Sequence, residues 1–96
     1  MNVEAAMSHT VQQKDRLIAR VRRLRGQLDG VERALEAEAG CGEILRQLAS
    51  VRGALGGLTA EVMEDHLRHH VMAAETKAEC QQRGEELISV LRTYVK

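Results

Sequence analysis

The amino-acid sequence predicts an all-α protein with three helices, and three observations support this prediction. Proline is absent from the 96 residues, and although 44% of them are apolar, Tyr94 is the only aromatic residue. Leucine and valine recur at the 4, 3, 4, 3 spacing of a helical seam in two long segments. Glycines separate the two segments, as is common at helix ends.

The first helix is predicted over residues 11–37, where one apolar seam covers nearly three heptads. The break "EAGCG" follows at 38–42, and Gly40 and Gly42 are its predicted stop and start signals. The seam consists of Leu17, Val21, Leu24, Leu28, Val31 and Leu35.

The second helix is predicted over residues 42–71. Gly53, Gly56 and Gly57 interrupt it at about 1 kcal/mol each in helix propensity, which suggests the close approach of another backbone. Its seam consists of Ile44, Leu48, Val51, Leu55, Leu58 and Val62.

Two long helices joined by a short loop predict an antiparallel hairpin. A linker or weak helix at 73–84 then leads to a short third helix at 82–95. A chain of this size buries little apolar surface alone, so we expect two hairpins to pair as a four-helix-bundle dimer, or to form a tetramer. Residues 1–10 are predicted to be a flexible N-terminal tail, and residues 11–96 to form a single helical domain.

Composition restricts the location and the partners. No apolar run approaches the length of a membrane span, and the N-terminus lacks a signal-peptide pattern. Two cysteines without such a signal fit the reducing cytoplasm, with both thiols free. The net charge is +0, but six basic residues and one acidic residue lie within 14–25, which suggests a surface that faces a polyanion.

The histidines of "EVMEDHLRHHV" at 61–71 suggest a metal site. His66 and His70 are four residues apart, so a helix presents both on one face, where two imidazoles can chelate a metal ion. The zinc-protease motif requires glutamate directly after the first histidine, and Leu67 stands there instead, so an enzyme is not expected. The alternative for the pair is a favourable interaction with the helix dipole. His69 is predicted to face solvent.

Cys41 is the candidate sulfur ligand, but about 37 Å of helix separates it from His66, at 1.5 Å per residue. Antiparallel packing of two copies of the second helix would bring Cys41 of one chain beside His66 and His70 of the other. The hairpin would bring His9 to the same end, so His9, Cys41, His66 and His70 form the predicted metal site. The alternatives are that Cys41 is a small buried hydrophobic residue and His9 a tail residue. Cys80 is predicted to be an incidental thiol.

A basic face on the first helix is the candidate DNA surface. Arg16, Arg20 and Arg23 follow one helical stripe, and guanidinium groups suit phosphate. Lys14 can contribute to the same surface. Arg52 lies in the apolar stretch "LASVRGALGGL" and requires a carboxylate, a carbonyl oxygen or a phosphate as partner. The alternative for the stripe is a solvated surface with arginine stems packed along the seam.

The segments "RLIARVRRLRGQLDGVERALE" and "CGEILRQLASVRGALGGLTAEVMEDHLRHHV" resemble the CsoR/RcnR family of small all-α metal- and stress-sensing repressors, over residues 7–96. The resemblance implies a three-helix protomer whose antiparallel hairpins pair into a four-helix-bundle dimer, and a homotetramer that is a dimer of dimers. It also implies that the protein binds operator DNA without inducer. An inducer bound across the dimer interface would release the DNA and allow transcription of an efflux or detoxification operon.

The resemblance also assigns ligand positions. Cys41 matches the invariant cysteine, and His66 matches the first histidine of the second helix. The next ligand position is cysteine in copper sensors, glutamate in formaldehyde sensors and histidine in nickel/cobalt sensors, and here it is His70. With His9, which resembles an N-terminal histidine of the nickel/cobalt sensors, the set implies Ni(II) or Co(II) as inducer, while Zn(II) would accept the same donors. The DNA-contacting positions of the family match Arg20, Arg23 and Arg52.

Further readings remain open. The segment "RVRRLRGQ" resembles the formaldehyde sensors, so a formaldehyde-responsive repressor acting through Cys41 is the second hypothesis. Those sensors use an N-terminal proline amine, and this chain has no proline. The third hypothesis is a helical oligomerisation module without a DNA role. In the nickel/cobalt sensors the amine of the residue after Met can bind metal, and Ser8 would supply it only if translation starts at Met7.

Overall fold

The structure is a computed structural model that describes the backbone of residues 3–95 and the side chains of residues 13–95. It confirms the all-α fold with three α-helices, and no strand occurs within the described backbone. None of the helices in that part of the chain is long and apolar enough to cross a membrane. The elements are α1 (Val3–Glu36), α2 (Cys41–His66), a π-helical turn (Leu67–Val71) and α3 (Lys77–Tyr94).

The chain divides into two compact units, and the first, Gln13–Thr59, is an antiparallel hairpin of α1 and α2. A Cβ built at Gly30 would lie 3.7 Å from Oε1 of Gln47, and one built at Gly57 would lie 3.2 Å from Nη1 of Arg20. Residue numbers therefore fall along α1 as they rise along α2. This direction confirms the antiparallel hairpin.

The two predicted seams do not each form one face. Within each seam, every second residue turns into the hairpin and is partly or wholly buried, while the residues between them are exposed. The helical faces that meet in the hairpin include polar residues such as Gln27 and Gln47, which line one cavity of about 250 Å³. Half of each predicted seam therefore points away from the hairpin. The exposed members are Val21, Leu28, Leu35, Leu48, Leu55 and Val62.

Little of the described chain is buried. Val31 and Val71, at 8% and 9% exposure, are the only buried hydrophobic side chains among residues 13–95. Leu28 and Leu45, by contrast, are 49% and 60% exposed. Each long helix therefore carries an apolar face for which its own hairpin offers no cover.

The connection between α1 and α2 is made by a residue in the left-handed conformation. Glu38 has a φ of 56°, and its N–H donates to the carbonyl oxygen of Leu35 at 3.0 Å, while the N–H of Ala39 donates to that of Ala34 at 2.9 Å. These two bonds are those of a Schellman motif, a common helix end. The prediction that Gly40 ends the first helix was wrong, because Glu38 adopts the left-handed conformation at the helix end instead.

Three predicted helix boundaries also differ from the structure. The first helix begins at Val3 rather than at about residue 11, and the sequence from Val3 contains glutamate and alanines, which are strong helix formers. The α-helical part of α2 ends at His66, before the π-helical turn. The third helix begins at Lys77, because Oγ1 of Thr76 accepts a hydrogen bond from the N–H of Glu79 at 3.1 Å and caps it.

The second unit is built from residues on both sides of the π-helical turn, Ala60–Lys96, together with Met1–Gln12. The N–H of Met72 donates to the carbonyl oxygen of Leu67 at 2.8 Å, which closes the wide turn. Within this unit α3 packs against the turn: Val71 is buried, and its Cγ1 lies 3.9 Å from a Cβ built at Gly84.

Replacing Glu38 by glycine is expected to raise the free energy of unfolding by about 1 kcal/mol, because glycine adopts a positive φ without the steric cost that a side chain incurs. Urea denaturation at a fixed protomer concentration measures the change. Glu32→Gly, at an exposed position inside α1, is the matched control and should lower stability by about 1 kcal/mol. If both variants destabilised the protein equally, Glu38 would not limit the hairpin connection.

Candidate functional site

The strongest candidate site is the histidine pair at the end of α2. His66 is the last residue of α2, and His70 lies in the π-helical turn that follows it. Their rings stack with centroids 5.0 Å apart and an angle of 21° between the planes. Both residues are half-buried, whereas His69 is exposed, as predicted. Two imidazoles held face to face from successive turns are a suitable pair of nitrogen donors for a borderline metal ion.

The turn that carries His70 is attached to α3. Nη1 of Arg83 donates to the backbone carbonyl oxygen of His70 at 3.0 Å, across 13 positions of sequence. The carbonyl groups at the end of a helix lack hydrogen-bond donors inside the helix. The Arg83 guanidinium is the donor for one of these carbonyl groups, that of His70. Nothing in the apolar spacing of the sequence pointed to Arg83.

Cys41 is an exposed free thiol and the first residue of α2. In the single chain its thiol is therefore accessible to solvent. Glu43 holds the turn that follows, because its carboxylate accepts from Nη1 of Arg46 at 2.7 Å and from Nε2 of Gln47 at 3.2 Å. Cys80 is also exposed and lies within α3 rather than in a linker. His9 lies outside the residues whose side chains are described.

Among the described side chains, no group of three or more His, Cys, Asp and Glu lies close enough together to hold a metal ion. His66 and His70 are thus a pair of donors, not a full coordination sphere. Cys41 and His66 stand at opposite ends of the same 26-residue helix. Any site that uses the thiol together with the imidazoles requires more than this arrangement of one chain.

An exposed apolar surface follows Cys41 along α2. Leu45, Leu48 and Leu55 are 60%, 43% and 49% exposed. Arg52 borders these leucines, and with Leu45 and Leu48 it lines a cavity of about 550 Å³. Arg52 is exposed, and no hydrogen bond or ion pair joins it to the rest of the described chain. The partner that the sequence requires for this guanidinium is absent from its own hairpin.

The basic residues of α1 differ in exposure. Lys14, Arg16 and Arg23 are exposed, while Arg20 is half-buried. Arg20 lies at the hairpin, where Nη1 is 3.2 Å from a Cβ built at Gly57.

The three glycines of α2 were predicted to allow the close approach of another backbone. Within the described chain, only Gly57 has a close neighbour, and this neighbour is the Arg20 side chain. Gly53 and Gly56 meet nothing within 4 Å among the described residues. Arg20, Arg23, Gly53 and Gly57 line one groove of about 180 Å³, together with Leu24 and Ala54.

The start of α3 carries a short sequence motif that apolar spacing does not reveal. "TKAE" at 76–79 has the form of a capping box, in which a threonine precedes a glutamate by three positions. The threonine half of that motif is present in the structure, with Thr76 capping the helix. This pattern predicts a third helix that begins at Lys77 and includes Cys80.

Comparison with known proteins gives a consistent result. A sequence profile of the family described as "metal-sensitive transcriptional repressor" matches residues 13–93. A Serratia marcescens protein named for its position in the bioA 5′ region is 48% identical over 91 residues, 94% of this chain and 100% of that protein. The transcriptional repressor RcnR of Salmonella paratyphi B is 33% identical over 90 residues, with the same 94% and 100% coverage.

Two solved structures share the fold. One is a glutamate-to-histidine variant of the formaldehyde-responsive regulator FrmR from Salmonella enterica serovar Typhimurium, with a TM-score of 0.80, 44% identity, and coverage of 86% of this chain and 94% of that one. The other is the copper-sensing repressor CsoR with Cu(I) from Geobacillus thermodenitrificans, with a TM-score of 0.83, 27% identity and 88% coverage of each chain. The profile match and the relatives both extend over most of the sequence, and this chain therefore belongs to the family of metal-sensitive transcriptional repressors.

Proposed function

We propose that the protein is a repressor that leaves its operator DNA when Ni(II) or Co(II) binds between two subunits, so that a metal efflux or resistance operon is transcribed. The observation that carries this proposal is the stacked His66–His70 pair, with ring centroids 5.0 Å apart. A second imidazole at position 70 separates the nickel/cobalt ligand set from the cysteine of copper sensors and the glutamate of formaldehyde sensors. Such a repressor would act in the cytoplasm.

The donor set suits these ions. His66 and His70 would provide two imidazole nitrogens, His9 a third, and Cys41 of a second copy a thiolate. Three nitrogens and one sulfur, with oxygen atoms completing the sphere, are acceptable to Ni(II) and Co(II), while Zn(II) would take the same four in tetrahedral form. A bound ion would supply a bridge between two chains, and the exposed Cys41 thiol is available for it.

The exposed apolar faces support the dimer that this site needs. Leu48 and Leu55 are spaced by seven residues along α2, and Leu28 and Leu35 are spaced likewise along α1. Covering such faces is favourable by about 25 cal/mol for each Å² removed from water. Two copies of α2 packed antiparallel would bury this surface and bring Cys41 of one chain to the histidine pair of the other. Two such dimers would then form a homotetramer through contacts of α3.

The basic side chains provide the DNA-binding surface in this proposal. Lys14, Arg16 and Arg23 are exposed on α1, and guanidinium groups bind phosphate through paired hydrogen bonds. Arg20 lines the groove beside them, and Arg52 would contribute from α2. Because metal and DNA favour different arrangements of the same tetramer, each lowers the affinity for the other to the same degree.

Formaldehyde is the second candidate inducer, and one observation favours it. The FrmR variant is 44% identical to this chain, more than the 33% of RcnR. The exposed Cys41 thiol is accessible to an electrophile. Against this reading stand His70, where formaldehyde sensors have glutamate, and the absence of proline.

Addition of Ni(II) or Co(II) is expected to weaken binding to the DNA upstream of the gene by about tenfold or more, a coupling of roughly 1.4 kcal/mol. Fluorescence anisotropy with a labelled duplex measures it. Cys41→Ala should abolish this response while leaving binding without metal unchanged, and Cys80→Ala is the matched thiol control. DNA release that follows formaldehyde, with a mass adduct at Cys41 and no response to either metal, would instead establish the second candidate.

Gly57→Ala is expected to weaken DNA binding without metal by about two- to threefold, because the new Cβ would lie 3.2 Å from Nη1 of Arg20 and push the guanidinium slightly aside, which weakens its hydrogen bonds to phosphate. Anisotropy over a range of salt concentrations should also give a shallower salt dependence. Gly56→Ala is the matched control, since both changes raise helix propensity by about 1 kcal/mol and a Cβ at Gly56 meets nothing within 4 Å among the described residues. Equal affinities for the two variants would show that the position of the Arg20 guanidinium beside Gly57 does not matter for DNA binding.

A further inference from the structure

We propose that Arg83 is a positioning residue that holds the His70 turn in place for metal binding and transmits occupancy of the histidine pair to α3. This inference rests on the proposed metal site at His66 and His70. It assigns a role to a residue that holds the backbone of His70, and it identifies α3 as the element that moves with the site.

The first step is the π-helical turn itself. A π-helical turn is a rare, wide conformation that is found mostly as a single turn within α-helices, and frequently at functional sites. Here it spans Leu67–Val71, directly after His66, and it contains His70. Relaxation of this turn to an ordinary α-helix would change the rotation between residues 66 and 70 about the helix axis. The relative orientation of the two rings, whose centroids are 5.0 Å apart, would change with that rotation.

The second step is the contact that retains the turn. Arg83 donates from Nη1 to the carbonyl oxygen of His70 at 3.0 Å, in a partly buried setting. Hydrogen bonds from a charged donor are about twice as strong as neutral ones. The next residues along each segment also meet, because Val71 is buried against Gly84, at 3.9 Å from a Cβ built there. Residues 83 and 84 of α3 thus hold residues 70 and 71 of the turn.

The third step joins the site to α3. The peptide oxygen that Arg83 holds belongs to the same residue whose imidazole would bind metal. A shift of that ring on coordination moves the His70 backbone and, with it, the guanidinium of Arg83. Thr76 caps the start of α3, and the helix extends as one piece from Lys77 to Tyr94. A small movement at the histidines would therefore reach a helix whose far end carries the exposed Tyr94, at 62% exposure.

The test uses Arg83→Met, which keeps the aliphatic stem and removes the donor, and Arg83→Lys, which restores a charged donor. Co(II) chloride is titrated into each full-length protein, and the cobalt absorption bands report both affinity and ligand geometry. We expect Arg83→Met to weaken Co(II) binding by about tenfold, the lower end of the effects seen when an outer-shell partner is removed, and to change the band pattern. Arg83→Lys should recover most of the affinity.

The same variants are then compared for DNA release with a labelled duplex from upstream of the gene. Arg83→Met should keep its DNA affinity without metal within about twofold and lose most of the change caused by Co(II), since the link to α3 is cut. Arg92→Met, in the last turn of the same helix, is the control and should behave as the unaltered protein. Circular dichroism and sedimentation confirm that helix content and assembly are retained.

The outcomes separate the two proposals. If the unaltered protein does not bind Co(II) at all, the proposed function fails, and the role of Arg83 in metal binding fails with it. If the unaltered protein binds Co(II) and Arg83→Met matches it in affinity, bands and DNA release, the proposed function stands and the inference about Arg83 is overturned. An equal loss in Arg92→Met would also overturn it.

Discussion

Two helices packed against each other cannot enclose a core, and this constraint governs the rest of the molecule. Val31 and Val71 are the only hydrophobic side chains in the described residues that are buried. On α1 the exposed apolar residues Val21, Leu28 and Leu35 recur at seven-residue intervals, as Leu48, Leu55 and Val62 do on α2. A surface with this regularity is suited to another helix, because knobs repeating at heptad spacing fit the holes of a partner. The folded unit is therefore expected to be an assembly of chains.

The same constraint explains the position of the candidate ligands. A continuous helix keeps Cys41 and His66 at its two ends, so flexible movement within one chain does not bring them together. An assembly that covers the apolar face of α2 can do so. In such an assembly the Cys41 thiol of one chain would meet the imidazoles of another, although one helix cannot bring them together by itself.

Much of the fold could be predicted from the sequence, because heptad spacing and glycine placement report directly on long helices. The antiparallel hairpin and the three helices are of this kind. The division of each seam between two faces could not be predicted, since the polar Gln27 and Gln47 occupy hairpin positions that apolar counting passes over. The left-handed Glu38 was missed because glycine is the residue expected there.

The candidate site was predicted unevenly for a related reason. His66 and His70 are four positions apart, and local spacing was sufficient to pair them. The π-helical turn and the Arg83 contact depend on packing against α3, for which short-range spacing carries no signal. Arg20 was assigned to an exposed stripe by the same local counting, while its partly buried position follows from the small residue opposite it on α2.

The connection between the π-helical turn and α3 has a consequence for how this chain can vary in evolution. Surface connections usually tolerate insertions and deletions. Here Thr76 fixes the start of α3, and the 13 positions from His70 to Arg83 set which residue of the helix meets the carbonyl. One added residue between 72 and 76 would leave α3 and its Thr76 cap unchanged as a unit. It would nevertheless shift Arg83 and Gly84 away from His70 and Val71 in the π-helical turn. Substitutions in this connection should therefore be frequent among descendants of this sequence, and changes in its length rare.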